Sequence, residues 1–218
     1  MPGFFDIFPT FYEAPLAWVL LALIVPVSII AFYYKPLYHA LLFHPYEVYR
    51  GKRSHTLFTS AFIHKGWWHL FWNMVIVFGL SYDMFGVIRQ EYEGTLPYVF
   101  SLLLTLLFLL IPNLFVGWKA RSDITFTSLG ASGLTYGLIG FCVMFYPLQE
   151  MSDSWLIPMN RSYQYWIVLL IIFSAFLLRK NKINHSLHLF AYMQGTISAI
   201  ILRPTALIET AEHIINWT

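Results

Sequence analysis

Long solid apolar runs alternate with short polar stretches along this 218-residue chain. An α-helix needs roughly 20 apolar residues to cross the hydrocarbon core of a bilayer. Six stretches read as such spans: residues 14–34, 67–85, 96–118, 129–146, 163–178 and 187–202. Pro26 is expected to kink the first. Residues 35–65 are polar and basic, broken by apolar pieces too brief to cross. A proline-bearing loop is expected over 147–162. Arg179, Lys180, Asn181 and Lys182 separate the fifth span from the sixth, and Arg203-Pro204 stops the sixth. The first thirteen residues hold no Lys or Arg, so they read as an interfacial lead-in and not as a secretory signal. Residues 205–217 read as a short amphipathic surface helix.

Composition narrows the class. The chain is 58% hydrophobic and 19% aromatic with 11% charged residues, against about 25% charged in soluble domains. Barrel strands would show short alternating segments, so the expected class is all-α, a single polytopic membrane bundle over residues 1–218. A formal net charge of +2 gives no reason to expect a nucleic-acid partner; the partner that composition implies is the lipid bilayer. The single cysteine, Cys142, cannot form an internal disulfide and reads as a packed thiol. Six crossings put both termini on one side and the starts of spans two, four and six on the other. His69, Ser132 and His188 sit near those three starts and so share a depth.

Those three residues carry chemistry. Ser132 lies in Gly130-Ala131-Ser132-Gly133. A serine in a membrane helix commonly bonds back to a carbonyl one turn earlier. Here Gly130 and Gly133 leave its oxygen unshielded, and Gly133, Gly137 and Gly140 form a groove of small residues that admits a neighbouring helix. His188 shares a helical face with Ala191, Gly195 and Ala199, all small. Two such faces can bring an imidazole base against a hydroxyl, which is too weak a nucleophile without one. His69 and Asn73, four apart, point the same way from the start of the second span. Asn73 read alone fits an interhelical hydrogen bond better; beside Ser132 and His188, it and His69 suit an oxyanion site together with the Ser132 N–H. No acidic residue or cysteine completes a ligand set around His64 and His69, and no HExxH spacing occurs, so no metal or cofactor is expected. His185, outside the apolar run, reads as a solvated loop residue, and Asp83 as a cap near the end of span two.

Together these residues resemble the rhomboid family of intramembrane serine proteases. The features carrying the likeness are His64, His69 and Asn73, then Gly130-x-Ser132-Gly133 with Tyr136 one turn on, then His188 followed by small residues. The residues from Phe58 to His64 are similar to the end of the family's first long loop. The resemblance implies a six-helix rhomboid-like bundle with a long, partly embedded first loop, and a Ser132–His188 dyad with no third acidic member. It also implies that Tyr136 stacks beside the imidazole and that His64 braces the loop. Substrates would be transmembrane proteins cut in or next to a membrane segment, with span five and the loop before His188 gating access from the lipid. The chain departs from the pattern in three places. His55-Thr56 stands where a Trp-Arg pair is common, with Tyr49-Arg50 lying earlier. Leu187 replaces a small residue, and Ala191 replaces a glycine. A non-catalytic rhomboid-like protein that binds membrane clients is the alternative, distinguished by loss of the serine or histidine; both are present.

Charge and resemblance disagree on orientation. The resemblance implies a cell (inner) membrane protein with a cytoplasmic N-terminus and an active site opening outward. On the active-site side stand Lys35, Arg50, Lys52, Arg53, Lys65, Lys119, Arg121, Arg179, Lys180 and Lys182, against Arg89, Arg161 and Arg203 on the other. The positive-inside rule would turn that richer face to the cytoplasm.

Overall fold

The computed structural model describes residues 8–151, 159–179 and 184–216. Residues 1–7 of the expected lead-in, 152–158 of the expected loop, Lys180, Asn181 and Lys182 of the basic run, and Trp217 lie outside the described residues. Among the described residues the regular structure is helical. In chain order it comprises α1 (Pro15–Tyr33), α2 (Lys35–Leu41), α3 (Pro45–Val48), α4 (Thr56–Thr59), a 3-10 turn (Ser60–Phe62), α5 (Trp67–Glu91), α6 (Leu96–Lys119), α7 (Ser132–Phe145), α8 (Ser162–Phe176), α9 (His185–Leu202) and α10 (Thr205–Ile215). The all-α class is as expected. Three helices, α1, α5 and α6, are long and apolar enough to cross a membrane; α7 and α8 are apolar but shorter.

Local chemistry explains the helix boundaries. The apolar run from residue 129 is helical only from Ser132, because Gly130 takes a left-handed φ of 100° that no α-helix contains. α5 continues past Phe85 to Glu91 because Met84, Phe85 and Ile88 extend its buried face. Asp83 therefore lies inside α5 and does not cap it. α1 and α6 run on through Pro26 and Pro112.

The chain forms two compact units, Met1–Thr135 and Tyr136–Thr218. In the first, α1 packs on α5 and α5 on α6, while α3 and α4 rest on α6. The buried stripe of α1 is Ala17, Leu20, Ile24, Ser28 and Ala31, spaced three or four apart as one helical face requires. Residues 35–65 are folded around Arg53. Its guanidinium pairs with Glu47 at 2.9 Å and donates to the carbonyls of His39, Ala40 and Leu42. The Phe43 ring fills the space beside Gly117, where an added Cβ would stand 2.9 Å from it.

In the second unit α7 and α9 meet backbone to backbone. A Cβ at Gly140 would collide with the Tyr192 carbonyl, and one at Gly195 with the Gly137 carbonyl. Ala191 and Ala199 on the same side of α9 are fully buried. α8 joins α9 by hydrogen bonds, Trp166 Nε1 to Thr196 Oγ1 at 3.0 Å and Tyr192 Oη to the Trp166 carbonyl at 2.8 Å. Gly133, grouped with Gly137 and Gly140 by its sequence spacing, lies against α6: its Cβ would stand 3.1 Å from the Phe108 carbonyl.

Since backbone cannot yield as a flexible side chain can, Gly195→Ala and Gly140→Ala should each destabilise the protein by about 1–3 kcal/mol. Gly79→Ala should leave stability unchanged or slightly raised, because nothing lies within 4 Å of a Cβ there. Thermal unfolding midpoints in one detergent, compared across the three variants, check this contrast.

Candidate active site

Ser132 begins α7, and the backbone that delivers it is pinned residue by residue. Ser128 exchanges two backbone hydrogen bonds with Phe43, at 3.0 and 3.1 Å. The Gly130 N–H donates to the Ser60 carbonyl at 2.9 Å. The Ala131 N–H donates to His64 Nε2 at 3.3 Å. His64 is itself fully buried, and its Nδ1 lies 2.9 Å from Ser28 Oγ in the C-terminal half of α1. Ser28 donates its one proton to the Phe62 carbonyl at 2.8 Å. Its oxygen must therefore accept from His64, which fixes His64 as the neutral Nδ1–H tautomer with an Nε2 lone pair facing Ala131. Burial, with the neighbouring His69 adding to it, pushes the His64 pKa down to about 3. Among the described residues of this unit the Ser132 hydroxyl takes no hydrogen bond, so it is not tied back to its own helix.

His69 and Asn73 lie against the same turn. A Cβ at Gly130 would stand 2.6 Å from His69 Cε1 and 3.0 Å from its Nε2, so glycine is required both for its φ and for the room it leaves the imidazole. The Lys65 N–H makes a long 3.5 Å hydrogen bond to His69 Nδ1, which leaves the proton on Nε2, the nitrogen facing the turn. Asn73 is buried. Its Oδ1 accepts from Thr135 Oγ1 at 2.8 Å, and one Nδ2–H goes back to the His69 carbonyl at 2.7 Å. A carboxamide carries two such protons, so a second donor remains.

The second unit holds the imidazole expected to act as base. His188 stacks on Tyr136 with ring centroids 4.1 Å apart and planes 6° from parallel. Phe173 abuts Tyr136 edge-on at 4.9 Å, and Tyr192 abuts Phe173 at 5.1 Å. The ring is thus held by a ladder of aromatic contacts. Asn184 Oδ1 caps α9, accepting from the Leu187 N–H at 3.2 Å. Leu187 is buried, which accounts for a large residue at that position. His185 is not a solvated loop residue: it opens α9, 5.3 Å from the Phe176 ring and 6.2 Å from that of His188. Among the described residues no group of three or more His, Cys, Asp or Glu side chains is placed to hold a metal ion.

Several supporting residues escaped the sequence reading. Ser28 and Asn113 are polar side chains inside apolar helices, a signal of cost without a named partner. Asn113 Nδ2 reaches the Leu57 carbonyl at 2.7 Å and Ser60 Oγ at 3.3 Å, so it grips the segment that in turn holds Gly130. Thr135, which joins Asn73 to the start of α7, gives no sign of that role in sequence. The loop's bracing guanidinium is Arg53, just before the His55-Thr56 position.

Protonated His64 would present an N–H to the Ala131 N–H and lose that bond. Its folded pKa, about 3, lies below the ordinary 6.5. The unfolded chain therefore takes up the proton first as pH falls. The stability His64 contributes is complete above pH 6.5 and is lost progressively toward pH 3. His64→Gln, which can still donate to Ser28 and accept from Ala131, should flatten that part of the stability–pH curve, measured as unfolding midpoint against pH.

A comparison with curated proteins finds no match to this chain. The family model of the rhomboid domain matches residues 48–205. That stretch runs from the loop braced by Arg53, through the turn pinned by His64 and the stacked His188, to the first residue of α10. This chain belongs to the rhomboid family and is an integral membrane protein.

Proposed function

We propose that this protein is an intramembrane serine protease in which Ser132 is the nucleophile and His188 its general base. The observation that carries the reading is the placement of His69 and Asn73 against the Gly130–Thr135 turn from which Ser132 projects. Each offers an N–H there, from Nε2 and Nδ2 respectively, and the Ser132 backbone N–H is a third. Donors gathered beside a hydroxyl nucleophile are what acyl transfer demands, because charge develops on the scissile oxygen as the bond to serine forms.

In this mechanism His188 takes the Ser132 proton as the oxygen attacks a peptide carbonyl. The tetrahedral oxyanion is received by His69, Asn73 and the Ser132 N–H. His188 then gives the proton to the leaving amine, and water hydrolyses the acyl-enzyme. Tyr136 fixes the plane of the imidazole, and His64 supports the turn. The reading includes six crossings by α1, α5, α6, α7, α8 and α9, with residues 35–65 partly embedded and the nucleophile's end opening outward from the cell membrane. Substrates are transmembrane proteins. A helical segment must unwind before its carbonyl can be attacked, so helix-weakening residues near the cut should favour cleavage.

Ser132→Ala should abolish both labelling by a serine-reactive fluorophosphonate and cleavage of a model transmembrane substrate; wild-type cleavage by that variant would overturn the assignment of Ser132, and failure of the unmodified protein to label or cleave would favour the client-binding alternative. Asn73→Ala should lower kcat by about 10²–10³ with little change in KM. For orientation, a cysteine placed at Lys119 in a Cys142→Ser background should react with a membrane-impermeant maleimide added outside intact cells. Reaction only after permeabilisation would reverse the proposed topology and uphold the charge count.

A further inference from the structure

α10 divides its surface three ways. At about 100° per residue, Ala206, Glu209, Thr210 and His213 fall on one side. Ala206 and Thr210 are buried, and the His213 ring lies 5.5 Å from Tyr163 at the start of α8. Glu209 grips Arg203 at 3.0 and 2.5 Å, and Arg203 donates to the Phe145 carbonyl at 3.0 Å and covers the Tyr146 ring. This side is fastened to the protein at the last turn of α7.

A second arc of roughly 120° holds Leu207, Ile208, Ala211, Ile214 and Ile215. Leu207, Ile208, Ile214 and Ile215 are 53%, 57%, 48% and 76% exposed. Thr205, Glu212 and Asn216 fill the narrow edge that is left, and all three are exposed. A helix with one side on protein, one apolar and one polar fits a line where protein, acyl chains and water meet. Eleven residues span only about 16 Å, far short of a crossing, so the axis must lie in the membrane plane.

Exposed apolar residues also precede α10 in the chain. Ile197 and Ile201 of α9, four apart, are 52% and 71% exposed and lead directly into the turn before α10. On an integral membrane protein such a stripe faces lipid. α10 has no Lys or Arg, and its Glu209 is neutralised by Arg203. Nothing in it calls for anionic headgroups.

We propose that α10 is an interfacial helix whose Leu207, Ile208, Ala211, Ile214 and Ile215 sit among acyl chains just beneath the headgroups, held by apolar burial and not by charge. The proposal rests on family membership and is independent of proteolysis.

The full chain carrying Cys142→Ser and a single nitroxide-labelled cysteine at Ile208, Ile215 or Glu212, in phosphatidylcholine vesicles, tests it. All three positions are exposed, so folding is checked by an unfolding midpoint matching Cys142→Ser alone. Labels at 208 and 215 should be several-fold more accessible to oxygen than to a water-soluble nickel chelate, and the label at 212 the reverse. The pattern should persist at high salt and on replacing the lipid with phosphatidylglycerol. Equal chelate access at all three positions, or a pattern that needs anionic lipid, would overturn the proposal. So would spin–spin broadening at 208 and 215 that vanishes on dilution with unlabelled protein, because it would assign the arc to a second copy.

Discussion

A polar atom inside hydrocarbon has no water to bond, so it must find its partner within the chain or remain unpaired at a cost of several kcal/mol. The first unit is organised by that demand. Ser28 sits in the C-terminal half of α1, and its hydroxyl is satisfied by Phe62 and His64. His64 spends its other nitrogen on Ala131, and Asn113 of α6 secures Leu57 and Ser60, whose carbonyl receives Gly130. Two helices therefore hold one loop, and that loop holds the turn before Ser132. Every link is a bond that an apolar interior makes hard to relinquish.

The second unit relies on a different force. Lipid tails are as apolar as leucine, so helices gain little by merely burying apolar surface and must gain by fit. Gly140 and Gly195 let α7 and α9 touch along their backbones, with Ala191 and Ala199 buried on the same side. Aromatic rings then settle orientation: His188 lies flat on Tyr136, which is buttressed by Phe173. The surroundings of the proposed nucleophile are thus set by hydrogen bonding, and those of the proposed base by packing. An alanine in place of the common glycine at 191 is accommodated because Ala191 is buried without strain on the closest approaches, which fall at Gly140 and Gly195.

Much of this was legible in advance. Long apolar runs with few charges gave the all-α membrane class, since the bilayer's thickness and its lack of hydrogen-bonding partners leave few alternatives. The rhomboid resemblance, carried by residues from His64 to Gly195, agrees with the family match. The misreadings have physical sources. His185 follows a basic run and lies outside the apolar stretch, yet α9 begins with it. Asp83 reads as a terminus because charge commonly ends an apolar helix, yet α5 continues beyond it to Glu91. The start of α7 was set by the left-handed φ of Gly130, which hydropathy does not register.

Of the six apolar stretches, those of α1, α5 and α6 form helices long and apolar enough to cross a membrane. By itself the sequence determined the class of solvent the chain folds in and the residue types able to carry acyl transfer. These follow from local properties: run length, side-chain polarity and the three-to-four-residue repeat of a helix face. Tertiary structure decided which polar groups are partners. Ser28 and His64 are 36 residues apart, His64 and Ala131 67, and Asn73 and Thr135 62. It also decided the tautomer of His64, which depends on where Ser28 sends its only proton. A hydrogen bond needs atoms within about 3 Å and correctly directed, a condition on positions in space on which sequence separation is silent.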